Sequence, residues 1–340
     1  MPTIRDVSKR AGVSVATVSR LLNKSGYVSR AAESAVREAM RELNYSPNDV
    51  ARSLAGKKSH TIALMVPDIL NPYFPLIAKS VEREASVLGY NVLLCDSGND
   101  PAKEARYFET LARKKMDGIV LASYSARPAG LAELMRREIP VVAIDNGFES
   151  DVPLLALVAD NKRGAKTAVR HLAEQGCRKL AHLRGPLGVF SADERFEGFR
   201  EACEELGMFA PERVVPGEFD FERAREATLA LLRRCPDIDG IFAGNDLMAA
   251  GTLKALRESG IGVPEKVKVV GFDGLDMPFA DAPLTSVRQP IGEMGAQAVR
   301  CLADLIDGVP IEKTVRRLNV NLIVRATSVA DKEGEYHEQK

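Results

Sequence analysis

Thr3-Ile-Arg-Asp-Val-Ser-Lys-Arg-Ala-Gly-Val-Ser-Val-Ala-Thr-Val-Ser-Arg-Leu-Leu-Asn23 reads as two short helices joined by a tight turn. Thr3 caps the first helix, and Asp6 three residues on completes a capping-box pattern. Ile4, Val7 and Ala11 recur at helical spacing and give that helix one apolar face. Gly12 permits the turn, and Ser14 caps a second helix whose Val18, Leu21 and Leu22 point inward. Val15, Ala16, Thr17, Ser19, Arg20 and Asn23 are left outward. They form a slim, hydrogen-bonding surface of the kind a DNA major groove admits, with Arg20 long enough to reach a guanine edge. Packing alone would also produce an amphipathic helix pair, so the motif needs support from its surroundings.

The charge distribution supplies some of it. The 340-residue chain has no net charge, with 47 Lys plus Arg against 47 Asp plus Glu. Residues 1–60 hold 11 basic against 5 acidic side chains, a net +6, and the remainder holds 36 against 42, a net −6. A basic head on an acidic body is the footprint of a nucleic-acid-binding module joined to a different unit. The length suits two or three domains, each burying its own core. No apolar run is long enough to span a membrane, and the polar stretch Thr3 to Arg10 lacks the apolar core of a secretion signal. Cys95, Cys177, Cys203, Cys235 and Cys301 are scattered without C-x-x-C spacing, and the four histidines are dispersed. A cytoplasmic protein with reduced thiols and neither metal nor cofactor is expected.

A third helix is expected from Ser29 to about Leu43, turning Ala32, Ala35, Val36, Ala39, Met40 and Leu43 to the head's core. Pro47 and Asn48 interrupt the chain, Asp49 to Ala55 makes a helix of only about two turns, and Gly56 to His60 is a polar stop. So short a helix is marginal alone in water, and its Leu54 would be exposed on a monomer. From Thr61 apolar strands alternate with helices. Strands are expected at 61–67, 91–96, 118–122, 140–145, 155–159, 179–183, 240–243 and 267–273, separated by helices such as 73–88, 162–175, 192–206 and 247–259. Such alternation builds parallel sheets covered on both faces, and two series imply two lobes. Ligands of such sheets bind at the carboxyl ends of the strands, where Asp145-Asn146, Gly244-Asn245-Asp246 and Asp273-Gly274 emerge.

Thr3-Ile4-Arg5-Asp6-Val7, Ala11-Gly12-Val13-Ser14, Thr17-Val18-Ser19-Arg20 and Leu22-Asn23 form one ordered block at the start of the chain. Tyr45-Ser46-Pro47-Asn48 and Ala51-Arg52-Ser53-Leu54 form a second. On these residues the chain resembles the LacI/GalR family of bacterial transcription regulators, from Pro2 to about Ala330. The resemblance implies an all-α helix-turn-helix DNA-binding head (1–46), a hinge helix and linker (47–60), an α/β two-lobe body with parallel sheets like that of periplasmic binding proteins (61–330), and a polar tail (331–340). Three crossing segments would join the lobes, near Ala159–Asn161, Gln289–Pro290 and Leu322–Val324. Lobe one is then 61–160 plus 291–321, and lobe two 161–290 plus 322–330. The same resemblance implies a homodimer on a pseudo-palindromic double-stranded DNA operator, contacted by Thr3, Ser14, Val15, Ala16, Thr17, Ser19, Arg20, Asn23 and Tyr27. Paired hinge helices would set Leu54 as an apolar wedge in the minor groove. The tail lacks the apolar a and d positions of a tetramerising coiled coil.

Along the body, Asn71, Tyr73, Phe74, Asp145, Arg195, Phe219, Asn245, Asp273 and Gln289 are together similar to the ligand set of ribose-type sugar-binding proteins. The set suits a polyol: carboxylates and amides bond vicinal hydroxyls, Arg supplies charge-assisted donors, and aromatic faces cover the C–H side of a sugar ring. Each member has a plainer alternative. Asp145, Asn245 and Asp273 could cap turns or helices, Arg195 could sit in a surface salt bridge, and Phe74 or Phe219 could be core. Asn146 stands where ribose-type proteins carry a second Arg. Val189 and Asp145 stand where purine-responsive members of the family place an Arg and a bulky aromatic. A sugar or sugar acid is therefore the expected effector, with a purine or nucleoside as the alternative. A cytosolic sugar-binding protein without regulation would leave residues 1–60 unexplained. Ser191-Ala-Asp193 and Glu194 lie near the cleft, but no G-x-S-x-G elbow, phosphate loop, dinucleotide fingerprint or metal pair accompanies them, so no enzyme is expected.

Overall fold

The computed structural model describes residues 2–23, 25–45, 58–114, 116–124, 130–147, 154–276, 282–312 and 314–329. The chain divides into two units, 1–59 and 60–340. Leu54 with the expected hinge helix, and the tail 331–340, lie outside the described residues.

In the first unit α1 (Ile4–Ala11), α2 (Val15–Asn23) and α3 (Arg30–Glu42) surround a small core. Val7, Val18, Val36 and Ala39 are buried, and Ile4, Leu21, Leu22, Met40 and Leu43 pack on them. So small a core leaves the helix ends to be fixed by polar groups. The Asp6 carboxylate accepts from both the backbone N–H and the hydroxyl of Thr3 at 2.8 Å. The Ser14 hydroxyl accepts from the Thr17 N–H at 3.1 Å, and Ser29 caps α3 through the Ala32 N–H. Gly12 ends α1 at φ 65°, the left-handed conformation that closes a helix at little cost only for a residue without Cβ.

The second unit contains β1 (Thr61–Val66), α4 (Tyr73–Val87), β2 (Asn91–Asp96), α5 (Pro101–Arg113), β3 (Gly118–Leu121), α6 (Leu131–Arg136), β4 (Val141–Ile144) and β5 (Leu155–Ala159). It continues through α7 (Asn161–Glu174), β6 (Leu180–Arg184), α8 (Phe190–Glu205), β7 (Val214–Pro216), α9 (Phe221–Arg234), β8 (Gly240–Ala243), α10 (Asp246–Glu258) and β9 (Lys268–Asp273). Last come β10 (Thr285–Arg288), α11 (Ile291–Ile306), β11 (Val315–Leu318) and β12 (Asn321–Ile323). The strands form two six-stranded sheets, β11-β5-β4-β3-β1-β2 and β12-β10-β9-β8-β6-β7. The β10–β12 pair is antiparallel. β3, β4, β5 and β8 are buried along their whole length, which is why their sequences are continuous apolar runs rather than alternating ones.

The chain changes sheet three times, between β5 and α7, between β10 and α11, and between β11 and β12. The third change falls between Leu318 and Asn321, slightly before Leu322–Val324, because Asn321 already pairs with Arg288 in the second sheet. Several strands are polar or charged. In β10, Thr285 and Ser286 are fully buried, with their hydroxyls donating to the Arg325 carbonyl at 2.8 Å and the Asp246 carboxylate at 2.6 Å. An ion pair spans the two lobes: Arg317 on β11 makes two hydrogen bonds to Glu194 on α8, at 2.8 and 2.5 Å.

Candidate ligand site and nucleic-acid interface

The nine cleft residues singled out in the sequence line one cavity, together with Tyr124 and Ser191. They come from both lobes and from the carboxyl ends of the strands. Asn71, Tyr73 and Phe74 stand at the turn into α4, Asp145 follows β4, and Ser191 and Arg195 lie in the opening turns of α8. Phe219 precedes α9, Asn245 caps α10, Asp273 ends β9 and Gln289 follows β10. Three of these residues have left-handed backbones, Asp145 at φ 58°, Phe219 at φ 56° and Asp273 at φ 120°. Such conformations cost energy in side-chain-bearing residues and persist where packing enforces them, often at binding sites. At Gly185 an added Cβ would come within 2.5 Å of the Phe219 ring, so a glycine there lets the ring reach the cavity.

Arg195 organises the floor. It is 3% exposed, which rules out a surface salt bridge. Its Nε donates to Asn161 Oδ1 at 2.9 Å and its Nη1 to the Gly244 carbonyl at 2.7 Å. Nη1 also lies 3.6 Å from Asp273 Oδ1, and the guanidinium stacks on Phe272, 3.9 Å from the ring centroid. Gln289 donates to the same Asp273 oxygen at 2.8 Å. Asn245 partly fills the plainer role: its side-chain carbonyl accepts from the Met248 N–H at 2.9 Å as a helix cap, leaving the amide NH2 to serve a ligand.

Burial pushes Asp145 up to about 7, although Arg195 opposes it. Asp273 rises to about 6 by burial, with Arg195 and Gln289 holding it down. Asp246 lies well above the usual carboxylate range through burial and the neighbouring Asp273 charge. Two acceptors at the cavity, Asp145 Oδ1 and Gln289 Oε1, are enclosed and have no hydrogen-bond partner. Buried polar atoms without partners are rare and costly in native folds. The cavity therefore offers oxygen acceptors to hydroxyl or N–H donors. It offers little to an anion, because its guanidinium is already committed and two carboxyls face it.

Tyr124 and Ser191 were not among the ligand candidates. Tyr124 follows β3 as Asp145 follows β4, and that strand-end position is the signal that would have found it. The Ser191 hydroxyl lies 3.5 Å from Asp145 Oδ2. Asn146 points away from a ligand role, donating from its amide to the Ser123 carbonyl at 2.7 Å. Among the described residues no His, Cys, Asp and Glu cluster could hold a metal, and no helix is long and apolar enough to cross a membrane.

On the head, Thr3, Ser14, Val15, Ala16, Arg20 and Tyr27 are exposed, and Thr17 and Ser19 are half-buried. Ser14 and Thr17 hydroxyls lie 2.9 Å apart, so both are engaged in starting α2. Tyr27 is 89% exposed, an unusual setting for an aromatic ring. Asn23 ends α2.

A cationic helix pair joined to a two-lobe, ligand-cleft body defines a ligand-responsive DNA-binding regulator. Residues 3–48 match the model for bacterial regulatory proteins of the lacI family, and residues 169–328 match a periplasmic binding protein-like domain. The chain is 45% identical to a ribose operon repressor of Halalkalibacterium halodurans, over 96% of this chain and 97% of that protein. It is 33% identical to the transcriptional repressor PurR of Photobacterium profundum, over 96% and 98% of the two chains. The solved lac repressor dimer bound to operator and the anti-inducer ONPF superposes with a TM-score of 0.87 at 27% identity, covering 97% of this chain and 99% of that one. The chain belongs to the lacI family and is a transcriptional repressor of that family.

Proposed function

We propose that this repressor binds a pseudo-palindromic operator as a homodimer and that a small neutral sugar, held between the lobes, controls its affinity for DNA. The observation that carries the effector class is the pair of enclosed, unpartnered acceptors, Asp145 Oδ1 and Gln289 Oε1, beside the Phe74 and Phe219 rings. Vicinal hydroxyls satisfy such acceptors, and ring C–H groups lie against aromatic faces. Sugar acids and sugar phosphates fit less well, since the Arg195 charge is already spent on Asp273. The 45% identity to a ribose operon repressor supports a pentose. The 33% identity to PurR keeps a purine or nucleoside as the alternative.

Base-edge contacts are assigned to Val15, Ala16 and Arg20, with Thr3, Ser14, Thr17, Ser19, Asn23 and Tyr27 positioning the head on phosphates and sugars. Leu54 is assigned the minor-groove wedge. Dimerisation has a candidate surface on lobe one: β2 is an edge strand, and its adjacent Leu93 and Leu94 are 40% and 44% exposed beside the exposed Val87 and Leu88. An edge strand with consecutive exposed leucines is a liability unless another chain covers it. Lobe closure on the sugar would shift the two-state equilibrium by its differential affinity, about 1–3 kcal/mol of coupling.

Titration calorimetry of the full chain against pentoses, hexoses, sugar acids, sugar phosphates and purines tests this reading, followed by operator-binding anisotropy with any ligand found. A neutral sugar that binds and changes operator affinity supports it. A purine as sole ligand overturns the effector assignment and leaves the repressor intact.

A further inference from the structure

The cleft does not end at the eleven residues of the inner cavity. Tyr124 lines that cavity and also a second one, whose other walls include Ser97, Glu104 and Ser123 from lobe one and Pro186, Leu187 and Val189 from lobe two. The two spaces differ greatly in size. Side chains close on one another in the inner cavity and leave about 10 Å³, whereas the outer chamber holds about 260 Å³. Its walls also have the character of a sugar subsite. On one side the buried Glu104 carboxyl accepts from the Ser123 hydroxyl at 2.7 Å, and on the other the Leu187 side chain is 78% exposed. A hydroxyl-bearing ring would find polar groups along one edge and an apolar face along the other. What the chamber lacks is an open path to the inner residues.

Among the described residues Tyr124 alone lines both spaces. Its ring centroid lies 6.1 Å from that of Phe74 in lobe one and 5.8 Å from that of Phe219 in lobe two. It packs against the apolar clusters on both sides of the cleft, and its hydroxyl is hydrogen-bonded by the Asn71 side chain. Two aromatic neighbours and a polar tether hold the ring in one place. We infer that Tyr124 is a specificity-determining partition, which restricts the effector to a single ring by closing the inner cavity off from the outer chamber. The inference rests on the proposed sugar reading and adds a size limit to it. Removing the phenol would join the two spaces and admit a second ring between Glu104 and Leu187.

The test is calorimetric, on the full chain and its Tyr124→Ala and Tyr124→Phe variants. D-ribose, D-xylose and D-glucose serve as single-ring probes, and uridine, xylobiose and cellobiose as two-ring counterparts with the same first ring. Thermal melts establish that each variant is folded. The expected result is that the native chain prefers one single ring over its two-ring counterpart by at least tenfold. Tyr124→Ala should cut that preference at least fivefold, and Tyr124→Phe, which keeps the ring and loses only the Asn71 bond, should retain it. Equal binding of both sizes by the native chain overturns the partition, as does an undiminished preference in a folded Tyr124→Ala. A native chain that binds none of the six overturns the sugar reading and the partition with it.

Discussion

On α2 the proposed base-reading residues Val15, Ala16 and Arg20 stand in water, on a helix braced by only four fully buried side chains. In the cleft Arg195, Asp273 and Gln289 are each 3% exposed and bond one another as much as they face the cavity. A DNA-reading surface asks nothing of the fold except a stable helix, because phosphate and base partners arrive with the operator. A cleft built of buried charged groups is structure and candidate ligand site at once. Changes at the exposed Val15, Ala16 and Arg20 should therefore alter binding and spare stability, and changes in the cleft should alter both.

Arg195→Ala gives the largest expected effect. It leaves Asp273 and Asp145 without their buried counter-charge, and stability should fall by about 3–5 kcal/mol in urea denaturation at neutral pH. A loss below 1 kcal/mol would place the cleft in the same class as the head and remove the contrast. Arg20→Ala should cost about 1–3 kcal/mol of operator affinity by fluorescence anisotropy and relax base preference at one position per half-site. Its melting curve should not move. Equal weakening on every sequence would reduce Arg20 to a phosphate contact.

Asp145→Asn should separate the cleft's two burdens. The folded state raises this carboxyl to about 7, so the stability of its neutral form is present below about pH 4 and is lost as pH rises toward 7. The variant should gain about 1–2 kcal/mol at pH 8 and nothing at pH 4, while losing most sugar affinity. In the native chain sugar affinity should rise with pH up to about 7 and then level, since the ionised carboxyl is the better acceptor. A flat calorimetric profile between pH 5.5 and 8 would show that Asp145 does not meet the ligand. Smallest is Ser14→Ala, which removes the cap of α2 and should cost the head about 1 kcal/mol by thermal melt.

The same contrast explains what the sequence made legible. Caps, the Gly12 turn and the apolar spacing of α1 to α3 are local features, and they read directly from neighbouring residues. The continuous apolar strands β1, β3, β4, β5 and β8 were equally plain, because burial on both faces writes itself into composition. β10 was not: Thr285 and Ser286 are buried polar residues whose partners, Arg325 and Asp246, lie about 40 positions away in sequence. β11 escaped for the opposite reason, since Val315-Arg-Arg-Leu318 is a charged edge strand. The nine strand-end residues were legible as a family pattern. Tyr124 was legible only as a residue just past β3; its place between Phe74 and Phe219, where two lobes meet, comes from tertiary packing that no local pattern encodes.

The three changes of sheet have a mechanical consequence. A panel fastened to its frame at one point can spin, and one fastened at two can still rack out of plane. Three fastenings, at 159–161, 288–291 and 318–321, should leave little but a swing of one lobe on the other. The expected response to whatever the cleft admits is a turn through more or less of the same arc, so that different ligands differ in how far they drive it rather than in direction.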